Sequence, residues 1–304
     1  MNVMDALANA IFEKQNPTAV GLDTRVEYLP EGFFAPGEHF QRSAGEAVFA
    51  FNRALIDAVA DIVPAVKVQV AFYEMYGTEG MIAFKRTMEY ARQAGLIVIA
   101  DVKRGDIGST AEAYAHAFLS GTPAGEANLP AFDADLVTVN PYLGTDGIKP
   151  FVVACEKQNK GIFVLVKTSN PSGGEIQDLI SDGRPVYEHV GLLTAKWGEN
   201  LMGSCGYSAV GAVVGATYPE QGAKLRQLLP RTFFLVPGYG AQGGTAKGIA
   251  NCFDSRGGGA IVNASRSILC AYQKQPGVHF ADAARNEALR MKEDLLSALG
   301  GRIG

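Results

Sequence analysis

Eight short apolar, β-branched runs along 304 residues, with helical periodicity between most of them, predict an α/β fold: one (β/α)8 TIM barrel domain over residues 1–304. The runs are Thr18 to Leu22, Ala65 to Val70, Leu96 to Ala100, Leu136 to Asn140, Ile162 to Val166, Val210 to Ala216, Phe233 to Val236 and Ala260 to Asn263. Unbroken apolar character of this length marks strands covered on both faces. Helical spacing is read over Ala44 to Ile62, Gly80 to Ala94 and Thr110 to Phe118. Strand–helix alternation implies right-handed crossovers and a parallel sheet, and eight such units close a barrel. No Pro-, Gly- or Ser-rich linker divides the chain. The widest gap between strands holds an insertion around 171–208. In it Glu175 to Ile180, the turn Ser181-Asp182-Gly183 and Arg184 to Val190 read as a hairpin. A surface insertion and a lid hinged near Gly173-Gly174 are both open readings.

Composition narrows the function classes. At 47% hydrophobic the chain can bury a sizeable core. A net charge of −4 without any Lys/Arg-rich run argues against a nucleic-acid or membrane surface. There is no run of about 18 apolar residues, and Met1-Asn2-Val3-Met4-Asp5 lacks a basic region followed by an apolar one, so a cytoplasmic location is expected. Cys155, Cys205, Cys252 and Cys270 form no C-x-x-C pair and the four histidines no H-x-x-H pair. Neither a disulfide framework nor a zinc site is indicated. An anionic ligand would have to be held by local groups.

In such a barrel chemistry sits at the C-terminal ends of the strands. The third strand ends in Asp101-Val102-Lys103-Arg104-Gly105-Asp106; if it continues to 103, alternation puts Ile97, Ile99, Asp101 and Lys103 on one face. Taken alone, this is either a strand-end salt bridge or a catalytic array. Other strand ends are polar too: Asp23 after the first, Lys67 on the second, Thr168-Ser169-Asn170-Pro171 after the fifth, Gly238-Tyr239-Gly240-Ala241-Gln242-Gly243-Gly244 after the seventh and Ser265-Arg266-Ser267 after the eighth. Glycines that admit a ligand to the backbone, beside a fork-shaped cation at Arg266, suit a phosphate and imply a phosphorylated substrate. Gly238-x-Gly240-x-x-Gly243 also spells a dinucleotide fingerprint. It lies in the last quarter of the chain and lacks an acidic residue about 20 positions on, so nicotinamide and flavin are set aside. Lys167 is expected by alternation to share a face with Phe163 and Leu165; Schiff-base chemistry and loop anchoring are its two readings.

Lys67 with Asp101-x-Lys103-x-x-Asp106, Ile107 and Thr110 resembles the catalytic signature of the orotidine 5′-phosphate decarboxylase family. Ser169 is similar to that family's pyrimidine-contacting serine, Gln242 to its phosphate- and base-contacting glutamine, Arg266 to its phosphate arginine and Asp23 to its ribose-contacting aspartate. The matches run in family order from 23 to 266. The insertions and the Val-Asn-Ala-Ser-Arg wording look more like the longer bacterial type 2 branch. The resemblance implies a (β/α)8 barrel that converts orotidine 5′-phosphate to uridine 5′-phosphate and CO2 without metal or cofactor. Lys103 would stabilise and protonate C6, Asp101 would lie near the departing carboxylate, and Lys67 would keep the carboxylates ionised. It also implies a homodimer in which Asp106, Ile107 and Thr110 serve the neighbouring site. The alternatives are a Mg²⁺-dependent sugar-phosphate decarboxylase or aldolase of the same barrel group, and a non-catalytic nucleotide-binding barrel.

Overall fold

A computed structural model describes residues 2–34, 40–125, 127–240, 243–301 and 303–304. Eight parallel strands close a barrel in chain order: β1 (Thr18–Gly21), β2 (Ala65–Gln69), β3 (Ile97–Arg104), β4 (Leu136–Val139), β5 (Gly161–Lys167), β6 (Ser208–Val214), β7 (Thr232–Pro237) and β8 (Ala260–Ala264). Closure comes from β1 pairing with β8, Thr18 opposite Val262. All eight expected strands are present. β3 is the longest and carries Asp101 and Lys103 inside it, where the apolar run alone ends at Ala100.

Alternation along the strands divides the core in two. Ile99, Leu136, Phe163, Phe233 and Ile261 fill the barrel interior, whereas Val98, Val137, Val164, Phe234 and Val262 face the helices. Those helices include α2 (Phe40–Val59), α3 (Gly77–Gln93), α4 (Gly108–Ala115), α5 (Thr145–Gln158), α6 (Val186–Trp197) and α7 (Pro219–Leu228), with α10 (Phe280–Ala298) returning against α2. The loops after β7 and β8 lead instead into single turns, α8 (Ala246–Ile249) and α9 (Arg266–Leu269). Past its C-terminal end α4 widens into a π-helical turn, His116–Ser120, closed by the Gly121 N–H on the His116 carbonyl.

Helix α1 (Val3–Lys14) closes the N-terminal end of the barrel. Asn2 caps it, its side-chain oxygen accepting from the Met4 N–H at 2.7 Å while the Asn2 N–H donates to Asp5 at 3.3 Å. Its apolar side, Val3, Met4, Leu7 and Ile11, packs into the interior cluster, about 1.5–3 kcal/mol per large side chain buried. Near the same end Arg226 of α7 donates to four backbone carbonyls, those of Cys252, Leu229, Thr232 and Gly259, at 2.9–3.0 Å. Its guanidinium lies 3.7 Å over the Phe234 ring, so a buried cation clips the starts of β7 and β8 to their flanking helix.

The segment between β5 and α6 contains a hairpin of two-residue arms, Ile180–Ser181 and Arg184–Pro185, turned through Asp182 (φ +49°) and Gly183 (φ +76°). The arms are shorter than the sequence suggests. Glu175 to Gln177 form part of a helical turn, and Pro185, which has no N–H for a ladder, opens α6. Among the described residues no helix is long and apolar enough to cross a membrane.

Candidate active site

Neighbouring strands β1, β2 and β3 deliver four charges to the C-terminal mouth. Gly21 pairs with Lys67, Lys67 with Ile99 and Gln69 with Asp101, so Lys67, Gln69 and Asp101 rise from adjacent inward-facing positions. Asp23 follows β1 at the rim. Lys67 Nζ lies 3.0 Å from Asp23 and 3.1 Å from Asp101, and Lys103 Nζ lies 2.6 Å from the other Asp101 oxygen. The charges therefore alternate along a continuous line, Asp23, Lys67, Asp101, Lys103.

Asp101 is the hub of this line. Besides the two ammoniums it accepts from Gln69 Nε2 at 3.0 Å and from Thr138 Oγ1 at 2.8 Å, and its side chain is only 8% exposed. Burial opposes its charge, but Lys67 and Lys103 outweigh burial and hold its pKa down at about 2. Burial likewise opposes the Lys67 ammonium, and the Asp23 and Asp101 carboxylates overcome it, raising that pKa above the ordinary lysine value. Both groups are charged at neutral pH. Fixed charges at the mouth are ready to act on a substrate without reorganising.

The backbone aims Lys103. The register of β3 on β4 slips between Ala100 and Arg104, and Lys103 sits in the left-handed region at φ +46°, a conformation that L residues other than Gly, Asn and Asp seldom adopt. The Lys103 N–H donates to Thr138 Oγ1 at 2.9 Å, which holds the bulge. Lys103 is 44% exposed where Lys67 is 4% exposed, so Lys67 is locked among carboxylates and Lys103 faces the opening.

These residues form one wall of a cavity of about 600 Å³ whose other walls come from β5 to β8. Thr168, Ser169 and Asn170 line it after β5, Gly238 and Tyr239 after β7, Asn263 near the end of β8, and Ser265 and Arg266 after β8. Gly238 (φ +104°) and Gly240 (φ +70°) let the loop after β7 fold tightly, with Gly240 N–H donating to the Gly244 carbonyl at 2.9 Å. Position 21 must lack a Cβ: one placed there would lie 1.9 Å from Ser265 Oγ. Gln242 lies outside the described residues.

Asp23, Lys67, Asp101, Lys103, Ser169 and Arg266 thus share one cavity, whereas Asp106, Ile107 and Thr110 do not line it. Asp106 is half-buried and its carboxylate accepts the Ile107 N–H at 2.8 Å; Ile107 and Thr110 are exposed. Gln69, Thr138 and Asn263 are site residues that the sequence reading missed. Alternation could have found them, since each lies two positions from an inward residue, Lys67, Leu136 and Ile261. Alternation fails at Lys167. The pairing of β5 with β6 slips between Val213 and Val214, and Lys167 leaves the cavity for a contact with Asp178, which removes it from Schiff-base reach.

A closed parallel barrel with an alternating Asp-Lys-Asp-Lys line and an arginine across its mouth defines a (β/α)8-barrel enzyme for a compact anionic substrate. A family model described as "Orotidine 5′-phosphate decarboxylase / HUMPS family" matches residues 47–278. The chain is 44% identical over 296 residues to an orotidine 5′-phosphate decarboxylase of Clostridium novyi (strain NT), covering 96% of this chain and 98% of that one. It is 42% identical over 300 residues to the Clostridium acetobutylicum protein of the same name, covering 98% and 100%. The solved structure of Leishmania donovani OMP decarboxylase superposes with a TM-score of 0.73 at 28% identity, covering 99% of this chain and all of that one. The chain belongs to the orotidine 5′-phosphate decarboxylase / HUMPS family.

Proposed function

We propose that this chain decarboxylates orotidine 5′-phosphate to uridine 5′-phosphate and CO2, a step of pyrimidine synthesis, with Lys103 acting at C6 of the base. The observation that carries the reading is the charge line ending in an accessible ammonium, opposite Ser169 and Arg266 in one cavity. Breaking the bond between C6 and its carboxylate leaves the electron pair in an sp² orbital outside the ring π system, where the ring cannot delocalise it. An ammonium beside C6 stabilises that pair as it forms, then gives it a proton. The resulting amine takes a proton back from solvent, to which Lys103 is open. Asp101 keeps the Lys103 ammonium aimed, and Lys67 keeps Asp101 ionised and pairs with Asp23. Ser169 and Gln242 read the pyrimidine, Asp23 the ribose, and Arg266 the phosphate. Binding energy at the distant phosphate supports closure over the reacting centre. The chemistry needs no metal or cofactor, and its nucleotide substrate suits a cytoplasmic enzyme.

The working unit in this reading is a homodimer in which Asp106, Ile107 and Thr110 complete the partner's site. Their position outside their own subunit's cavity supports it. So does an apolar patch on the loops after β3 and β4, where Ile107 is 56% and Tyr142 84% exposed. The segment 171–208 is the candidate lid.

Following the ultraviolet absorbance of orotidine 5′-phosphate in EDTA, with the unmodified protein and with Lys103→Ala, tests the proposal. Turnover by the first and a rate lower by at least about 10³ for the second are expected. No loss of orotate absorbance with the unmodified protein sinks the function. EDTA-sensitive turnover of a pentulose phosphate in its place establishes the sugar-phosphate alternative.

A further inference from the structure

Lys167, at the end of β5, is a fully buried ammonium that the proposed chemistry does not use. Its Nζ lies 2.6 Å from Asp178 and over the rings of Tyr218 at 4.6 Å and Tyr187 at 5.4 Å. Asp178 closes the one-turn helix Gly174–Gln177 in the segment beyond the Ser169 loop. A buried charge is tolerated only when paired, so opening this segment would strip Lys167 of its carboxylate. The pair therefore favours one position of the segment.

That position fixes the loop carrying Ser169. Gln177, next to Asp178, accepts the Thr168 N–H at 3.0 Å through its side-chain oxygen and donates to Thr168 Oγ1 at 2.7 Å. Thr168 Oγ1 donates on to Asn170 Oδ1 at 2.6 Å. From the other side Thr217 Oγ1 donates to the Ser169 carbonyl at 3.0 Å, and Tyr218, whose ring covers Lys167, donates to the Asn170 carbonyl at 3.2 Å. A Cβ at Gly215 would lie 2.7 Å from Ser169 Cα, so β6 supports that backbone closely. Ser169 is gripped between β6 and a segment tied down by one ion pair.

We infer that Lys167 and Asp178 are positioning residues for recognition of the pyrimidine: their ion pair latches Gly174–Asp178 against the Ser169 loop and so preorganises the contact to the base. The inference rests on the proposed substrate. The proposed ribose contact, Asp23 after β1, and phosphate contact, Arg266 after β8, lie outside the latched segment. Its loss weakens ligands that carry a base and spares those that do not. This signature separates a positioning role from general damage to the barrel.

The test uses the full chain with Asp178→Asn and Lys167→Met; the first replaces a half-exposed side chain and leaves the fold intact if the buried lysine variant does not. Three readouts are taken: KM and kcat for orotidine 5′-phosphate, Kd for uridine 5′-phosphate against ribose 5-phosphate, and amide hydrogen exchange without ligand. KM and the uridine 5′-phosphate Kd should rise about tenfold, kcat should fall less than threefold, and ribose 5-phosphate should bind within twofold of the unmodified protein. Amides of 174–179 should exchange at least tenfold faster in Asp178→Asn, while those of β1 to β3 are unchanged. Equal weakening of both ligands, or unchanged exchange over 174–179, overturns the latch. If the unmodified protein does not turn over orotidine 5′-phosphate, the function fails and the exchange result alone decides the latch.

Discussion

Asp101→Asn keeps the shape of the side chain and deletes the negative charge between two ammoniums. In the folded protein the carboxyl titrates at about 2 against an ordinary 3.8. At about 1.4 kcal/mol per pKa unit, that depression makes ionised Asp101 worth about 2.4 kcal/mol of stability at pH 7. Because the folded pKa is the lower one, the contribution is complete above pH 4 or so and disappears as pH falls through the folded pKa. About half should be gone by about pH 3. Asp101→Asn should therefore be less stable than the unmodified protein by about 2–3 kcal/mol at neutral pH, with the gap narrowing only below about pH 4. Denaturant unfolding at fixed pH values, followed by the fluorescence of Trp197, measures it. A variant as stable as its parent at pH 7, or a gap as wide at pH 3 as at pH 7, would refute the charge-line account.

Three further outcomes are expected. Arg226→Met strips four buried carbonyls of their donor and should lower stability by about 3–5 kcal/mol, seen in thermal unfolding, while kcat at temperatures where the variant stays folded is unchanged. Gly21→Ala forces a methyl into Ser265 and should destabilise by about 1–3 kcal/mol and weaken uridine 5′-phosphate binding in calorimetry, since Ser265 precedes Arg266. If the proposed homodimer shares its sites, mixing inactive Lys103→Ala and Asp106→Ala proteins at equal concentration should restore about a quarter of full activity, because half the dimers would be hybrids with one intact site. No recovery despite demonstrated subunit exchange would remove Asp106 from the partner's site.

The strands were legible because each is buried on both faces and so is apolar without interruption. Their polar ends could then be placed at one mouth by topology alone, which is why Asp23, Lys67, Asp101, Lys103, Ser169 and Arg266 meet where expected. Helix α1 went unread: it precedes the first strand, outside the strand–helix alternation, and its apolar side meets the barrel floor, so its role follows from the tertiary fold. Bulges were equally hidden. One extends the useful reach of β3 and turns Lys103 into a left-handed conformation, and another sends Lys167 away from the cavity; both depend on how neighbouring strands pair. Gln69, Thr138 and Asn263 escaped notice for a different reason. An uncharged polar side chain within a strand carries no functional mark until a charged partner is seen beside it.

Among the described residues, the floor formed by α1 leaves this barrel a single doorway. Val3, Met4, Leu7 and Ile11 seal the end opposite the charges, so no through-channel exists among the described residues for a small gas to escape downward. Carbon dioxide released at C6 must leave by the route the nucleotide used to enter, past the phosphate and any segment folded over it. Traffic is then ordered. Each opening of the mouth has to serve departure of the gas, departure of the nucleotide and arrival of its successor, so the frequency of opening sets a ceiling on turnover however fast the bond breaks.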